Sequence, residues 1–335
     1  MNETTPPPPP QAVVLQMLMG MWTAQIISAI AQLGVPDRLA KGAASAAELA
    51  RDCDADPDAL YRLLRAASTL NLCADAGGKR FALTPLGETL RSGVPGSLRD
   101  FVIAETARGH WLPWGRLADA VRRGGSTVSA TLGFPDAWTY YGDNTDERMT
   151  FARGMSNLSA MVSQDVARVY APGDAKRIVD VGGSEGILLR GLLERAPEAR
   201  GVLFDREDVV ANVAPIDRVE IVPGDFLTEV PPGGDLYLLK SILHDWPDDK
   251  CEVILKNCAK AAVPGTRLLV VEMLLPEEGP SPVTFMDMNM LVMLGGRERT
   301  AGEYTELLRR CGWAVEQVIP TGGMFSVIEA RRVAD

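Results

Sequence analysis

Positive charge is scarce in this chain. Over 335 residues, 34 Lys and Arg stand against 44 Asp and Glu, a net charge of -10 with a pI near 4.9. Phosphate backbones select basic surfaces, so this balance argues against a nucleic-acid partner. Histidine is nearly absent: His110 and His244 are the only two. Few side chains are therefore available to titrate near neutral pH. The five cysteines (Cys53, Cys73, Cys251, Cys258 and Cys311) form no CxxC pair, and their odd number does not suggest a disulfide framework. They read as buried or free thiols in a reducing cytoplasm. No internal repeat is present.

Charge of either sign is missing from residues 11–36, a run long enough to cross a bilayer. Gln11, Gln16, Gln25 and Gln32 punctuate it, with Thr23 and Ser28 between, and no Lys or Arg precedes it as in a signal peptide. A helix apolar nearly all round is better buried against another subunit than placed in lipid. The segment is therefore expected to be a soluble oligomerisation helix, with membrane insertion the weaker alternative. Residues 1–10, which end in five prolines, read as a disordered tail.

What remains is ordinary for a soluble globular protein: 46% hydrophobic and 23% charged, and long enough for two domains. Residues 11–97 read as helices plus a small hairpin. Ser45, with Glu48 three residues on, starts one helix, and Asp56-Pro57 starts another that runs to Leu70. Two short strands at Cys73-Ala74 and 80–83, joined by Gly77-Gly78, complete a winged-helix pattern. A DNA reader is one use of that pattern. Asp52, Asp54, Asp56 and Asp58 would repel phosphate, so a dimerisation scaffold is the better reading. Residues 98–170 look helical and are expected to form a linker and substrate-pocket region. In residues 171–335 strands at 178–181, 201–204, 219–222, 236–239 and 268–272 alternate with helices at 187–195, 249–262 and 301–311. Apolar runs at 314–319 and 325–330 fit a closing strand pair. That rhythm implies an α/β, mostly parallel sheet covered on both faces.

The chemistry-bearing letters sit at strand ends. VDVGGSEG, residues 179–186, is a strand, a tight turn and a helix start, where glycines let backbone approach a ligand. It lacks the strict G-x-G-x-x-G of dinucleotide enzymes, which argues against a nicotinamide oxidoreductase. Asp205 ends the next strand, placed to accept from ribose hydroxyls. Gly224-Asp225-Phe226 ends the third, where Asp225 either meets an adenine amino group or merely caps a turn. Lys240-Ser241-Ile242-Leu243-His244-Asp245-Trp246 ends the fourth, which puts His244 on the side of the glycine loop. Histidine is the natural base near neutral pH. Glu272, at the end of the fifth strand, and Glu298 are the carboxylates that could orient it. Asp245, Asp248 and Asp249 resemble a metal cluster, but two of them read better as the start of the next helix, and no metal is expected.

In the order VDVGGSEG, LFD, GDFL, KSILHDW, VVEMLLPE and GGRERT, the chain resembles the S-adenosylmethionine-dependent O-methyltransferases of plant phenolic and bacterial secondary metabolism. The likeness spans nearly the full chain. It implies a Rossmann-like methyltransferase domain with a mostly parallel seven-stranded sheet behind an amino-terminal, mostly helical winged-helix dimerisation domain. It further implies a cytoplasmic homodimer and a small aromatic substrate bearing a hydroxyl. In the family the residue matching His244 deprotonates that hydroxyl, and those matching Glu272 and Glu298 flank its imidazole. Gly182, Gly183, Asp205, Asp225, Phe226, Lys240 and Ser241 match cofactor-contacting positions. Met155, Met290, Asn289, Phe151 and Asp245 match the acceptor pocket. Some relatives have been diverted to hydroxylation, decarboxylation or pericyclic chemistry, but retention of all three of His244, Glu272 and Glu298 argues for methyl transfer. One letter departs: where the family usually has a third consecutive glycine, this chain has Ser184, a substitution expected to be tolerated unless the position demands a positive φ.

Overall fold

The structure is a computed structural model and describes residues 8–211 and 213–334. Most of the proline tail lies outside the described residues, and Pro10 already opens a helix. The chain forms two compact units. One comprises the described residues up to Trp111 with Asn144–Asn157, the other Leu112–Asp143 with the residues from Leu158 onward.

In the first unit the uncharged segment forms two helices, Pro10–Leu18 and Gly20–Gln32, with Met19 at the joint. Val14, Leu15, Met17, Leu18 and Trp22 are all exposed, Met17 by 72%. By length and composition alone, Pro10–Gln32 would suffice to cross a membrane. Ser45 makes the expected capping box: Glu48 N–H donates to its hydroxyl at 3.3 Å, and the Glu48 carboxylate accepts the Ser45 N–H at 2.7 Å. Asp56 caps the helix Pro57–Thr69 through Ala59 N–H at 2.8 Å. The wing has three strands, β1 (Ala44–Ser45), β2 (Cys73–Asp75) and β3 (Arg80–Leu83), in the order β1-β3-β2. The sequence indicated only the latter two, because β1 is two residues long and carries no alternation to read. Leu49, Leu60, Leu64, Phe81 and Leu90 close the core between helices and wing.

The second unit is built on β4 (Arg177–Val181), β5 (Arg200–Asp205), β6 (Val219–Pro223), β7 (Leu236–Lys240), β8 (Arg267–Leu275), β9 (Arg299–Thr300), β10 (Trp313–Pro320) and β11 (Phe325–Arg332). The order is β10-β11-β8-β7-β4-β5-β6, with β9 added on β8. All pairings are parallel except those of β11 with β8 and with β10. Alternate residues feed opposite faces. Val179, Val181, Tyr237 and Leu239 pack on one side with Ile254, Leu255 and Trp313, while Ile178, Leu236 and Leu238 pack on the other with Leu188, Leu189 and Leu192. Burial on both faces explains why these strands read as continuous apolar runs. The fold class expected from the sequence is borne out. Because β5 and β6 lie to one side of β4 and β7 and β8 to the other, the order reverses at β4. In open α/β sheets, that reversal opens a ligand crevice at the carboxyl ends of the strands.

Candidate active site

The glycine loop occupies that crevice. Gly182, Ser184 and Gly186 all have positive φ, at 73°, 53° and 68°. A Cβ on Gly183 would lie 2.5 Å from Leu203 Cδ1 and 2.7 Å from Asp180 Oδ2, so any side chain there must displace Leu203 and Asp180. The loop is tied to β5 by Asp205, whose Oδ2 accepts the Ser184 N–H and Oδ1 the Arg206 N–H, both at 2.8 Å. Ser184 thus does take the left-handed conformation that favours glycine, and its amide is held there by Asp205. Burial raises the Asp205 carboxyl above its ordinary range. Beneath the loop Asp180 is buried, and burial pushes its carboxyl up to about 7. At the end of β7, burial lowers Lys240, whose Nζ donates to Ser159 Oγ at 3.1 Å. The next residue, Ser241, is also left-handed, with φ 53°.

Asp225 does cap a turn: its Oδ1 accepts the Leu227 N–H at 2.8 Å, and the turn uses only that oxygen of the pair. Phe226 meets Trp246 edge to face, ring centroids 6.1 Å apart. An open cleft lined by Arg206, Glu207, Pro223, Gly224 and Asp225 lies at these strand ends. A larger hollow of about 620 Å³, lined by Glu185, Arg190, Val209, Ile216 and Arg218 among others, contains none of the sequence-predicted site residues.

His244 sits in a one-turn 3-10 helix, Leu243–Asp245, directly after β7. Its Nδ1 lies 2.8 Å from Glu298 Oε1; a carboxylate only accepts, so Nδ1–H is the donor. Glu272 Oε2 is 3.8 Å from the same nitrogen, beyond hydrogen-bond reach. Glu272 Oε1 instead accepts the N–H groups of Ile242 and Leu243, at 3.1 and 2.9 Å. On the opposite edge of the ring, Nε2 lies 3.3 Å from Asp245 Oδ1. His244, Glu272 and Glu298 are 8%, 0% and 1% exposed. Burial by itself would lower the imidazole pKa, but Glu272, Asp245 and Glu298 outweigh it and hold it up at about 10. Burial raises Glu272 to about 7 and Asp245 to about 6.

Among the described residues, Glu272 Oε2 and Glu298 Oε2 are buried with no hydrogen-bond partner. Ligand atoms of His244, Glu272 and Glu298 all fall within 4.8 Å of one another, close enough to share a cation. The Nδ1–H that His244 donates to Glu298 already engages one pair of those ligand atoms.

The remaining predicted residues divide between the units. Met290 is buried and Asn289 half-buried on the helix Val283–Met293, where Trp114 Nε1 donates to Asn289 Oδ1 at 2.8 Å. Phe151 and Met155 belong to the first unit, where Phe151 stacks on the His110 ring at 5.6 Å. Three contributors were not evident in the sequence. Trp114 orients Asn289. Asp287 Oδ1 accepts the Glu298 N–H at 2.9 Å. Gly296 brings its backbone against the His244 turn: a Cβ there would lie 2.1 Å from His244 O. The motif GGRERT did carry a sign of the last, since adjacent glycines beside a charged run mark a close approach.

A switch-point crevice with a glycine loop, a carboxylate on the second strand and a buried acid–imidazole pair defines an enzyme of the nucleotide-binding fold. Residues 114–314 match the model of the O-methyltransferase domain, and residues 15–93 that of the O-methyltransferase dimerisation domain; the chain belongs to this family. It is 40% identical over 315 residues to the 3-amino-4-hydroxybenzoate 4-O-methyltransferase of Streptomyces cremeus, covering 91% of this chain and 86% of that one. It is 34% identical over 330 residues to a phenazine O-methyltransferase of Lysobacter antibioticus, covering 96% of each. Human N-acetylserotonin methyltransferase, solved with S-adenosylmethionine, superposes with a TM-score of 0.92 at 28% identity over 100% of both chains.

The protein is therefore an S-adenosylmethionine-dependent O-methyltransferase that assembles as a homodimer. The residues present fit that cofactor. The crevice offers backbone N–H groups in a loop at Gly183 closely packed by Leu203 and Asp180, a carboxylate acceptor in Asp205 and a buried amine in Lys240.

Proposed function

We propose that the enzyme methylates a phenolic hydroxyl of a small aromatic secondary metabolite, with His244 as general base. The hydrogen bond between His244 Nδ1 and Glu298 carries this reading. It commits Nδ1 as a donor and leaves Nε2, on the opposite edge of the ring beside Asp245, as the nitrogen that takes the proton. The cofactor, when bound, supplies an electrophilic methyl group on a positively charged sulfur. His244 Nε2 takes the phenol proton as the O–H bond breaks, and the freed electron pair forms the new O–C bond in line with the departing sulfur. Glu298 stabilises the imidazolium so formed. Gly182, Gly183, Asp205, Asp225, Phe226, Lys240 and Ser241 hold the cofactor.

An imidazole held protonated to about pH 10 is a poor base at neutral pH. The relief lies in the same cluster. Each proton on Glu272 or Asp245, raised to about 7 and about 6, removes one of the anions that keep the ring charged. Any positive charge brought in with a ligand pushes the same way, toward neutral imidazole.

The acceptor class follows from the walls and from relatives whose names specify a phenazine and an aminohydroxybenzoate. On the helix Val283–Met293, Met290 provides apolar surface for a flat ring. Because Trp114 engages the Asn289 oxygen, the Asn289 amide offers its N–H donors, while Asp245 offers an acceptor. Five free thiols, four of them buried, suit the cytoplasm. Incubation with methyl-labelled S-adenosylmethionine and a panel of phenols tests the reading. Label is expected on a hydroxyl, and His244→Gln is expected to abolish transfer while affinity for S-adenosylhomocysteine stays near that of the parent. Cofactor binding without label transfer to any hydroxyl would point to diverted chemistry, and full activity in His244→Gln would remove the base.

A further inference from the structure

Arg299 follows Glu298 directly and opens β9, yet it is 1% exposed, the least expected place for a guanidinium on a two-residue strand. Its donors do not face a ligand crevice. Nη1 donates to Leu243 O at 3.1 Å and Nη2 to Trp246 O at 3.0 Å, the two carbonyls that bracket His244 and Asp245. Nε and Nη2 both donate to Asp248 Oδ1, at 3.1 and 2.7 Å, fixing the first turn of the helix Asp248–Ala261. Nη1 also reaches Arg297 O at 3.3 Å, and the Tyr304 ring lies under the guanidinium at 5.7 Å.

The turn that carries His244 has little of its own to hold it. Its closing bonds are Asp245 N–H to Ile242 O at 3.2 Å and Trp246 N–H to Leu243 O at 3.3 Å. Arg297 N–H adds a bond to His244 O at 2.9 Å from the same segment as Arg299. Two separate pieces of chain, 243–248 and 296–299, must therefore be kept in register for Glu298 to meet the imidazole. One planar side chain spans both.

We propose that Arg299 is a positioning residue that holds the His244 turn against the segment bearing Glu298 and so sets the hydrogen bond between them. A guanidinium is required because its rigid fork serves two carbonyls and a carboxylate at once, which a lysine ammonium on a flexible stem does not. The proposal rests on His244 being the base, but its main readout does not.

The charged groups facing the imidazole are Asp245 on its own turn, Glu272 from β8 and Glu298 before β9, with Lys240 near Asp245 and Arg299 and Asp248 behind the turn. Arg299→Lys keeps the charge there and removes only the fork. The chain has two histidines, so proton NMR of the imidazole C2–H signals follows His244 with His110 as internal reference. In Arg299→Lys the His244 signal is expected to titrate at lower pH, by about one unit, as the Glu298 bond loosens. kcat is expected to fall roughly tenfold to a hundredfold with little change in KM for S-adenosylmethionine. A merely structural arginine would lower the Tm and leave the His244 titration of the folded protein where it was. Asp248→Asn, which frees one side of the guanidinium, should move the signal in the same direction by less. A folded Arg299→Lys with the parent titration and kcat overturns the proposal. If Arg299→Lys does not fold, an unmoved His244 signal in Asp248→Asn overturns it equally. An active His244→Gln would instead remove the base assignment and leave the NMR result standing.

Discussion

Glu272 stands 3.8 Å from His244 Nδ1 and makes no hydrogen bond to it, while its other oxygen gathers the N–H groups of Ile242 and Leu243. The two carboxylates that flank the imidazole therefore do different work. Glu298 binds the ring; Glu272 binds the turn that carries the ring and acts on the imidazole by charge alone.

That division predicts separable mutants. Glu298→Gln keeps an acceptor near Nδ1 but removes its charge, so kcat should fall by about 10²-fold while cofactor affinity and Tm stay close to the parent's. Glu272→Gln retains a carbonyl for the two backbone donors and should fold normally. Glu272→Ala strips both donors of their partner in a dry site, at about 1–3 kcal/mol for each group left unpaired. Thermal unfolding read beside kcat checks this. Glu272→Ala as stable as the parent would refute the tethering role.

The motif order revealed the ends of the sheet strands, because burial on both faces writes them as apolar runs and because the polar letters of the candidate site fall where those runs stop. Asp205, Lys240 and His244 were legible for that reason. The division of labour between Glu272 and Glu298 was not, since one is a lone acid within an apolar run and the other one charge among several, and only distance tells what each does. Arg299 was still less visible: an arginine among Arg297, Glu298 and Thr300 reads as a solvated charge run, and its burial depends on a loop more than fifty residues earlier in the chain. Asp180 hides in the opposite way, as one acid inside the run that forms β4.

Activity and stability should run against each other on the alkaline side. The His244 pKa is raised from 6.5 to about 10, so the stabilisation it contributes is fully present below pH 6.5 and is lost as pH rises through about 10. Glu272 and Asp245 are raised to about 7 and about 6, so their neutral forms favour the fold, and that contribution fades earlier, as pH climbs through those values. Catalysis needs neutral imidazole, so kcat/KM should increase over the interval in which stability declines. The Tm of the parent should fall more steeply between pH 6.5 and 10 than that of His244→Gln. Superimposable Tm curves for the two proteins would disprove the coupling.

The dimerisation domain makes a prediction about the uncovered helices. Leu18 and Trp22 are 57% and 55% exposed in the single chain, beside Val14, Leu15 and Met17. Burial of a large apolar side chain contributes about 1.5–3 kcal/mol. Leu18→Asp with Trp22→Asp should therefore weaken self-association by at least about 10²-fold and shift the mass measured by light scattering toward that of one chain. A dimer of unchanged mass at low concentration would place the interface elsewhere.

Ser184 yields the last prediction, because its conformation and its neighbours pull in opposite directions. A left-handed residue with a Cβ is strained by roughly 1–2 kcal/mol. Here the strain is sustained by the bond from Ser184 N–H to Asp205, a charge-assisted contact of 2.8 Å that needs the peptide turned that way. Ser184→Gly relieves the strain and keeps the bond, but it also gives the unfolded chain more freedom, an opposing effect of about 0.4–1 kcal/mol. Stability should therefore change little. Affinity for S-adenosylhomocysteine, read by calorimetry, should hold or rise because the loop reaches its conformation more easily. Gly183→Ala, one residue earlier, offers the contrast: its methyl would press on Leu203 and Asp180, so the loop must shift and affinity should drop by an order of magnitude or more. Should Ser184→Gly lose affinity as sharply as Gly183→Ala, the serine hydroxyl itself must be serving the ligand, and the view of Ser184 as a strained stand-in for glycine would fall.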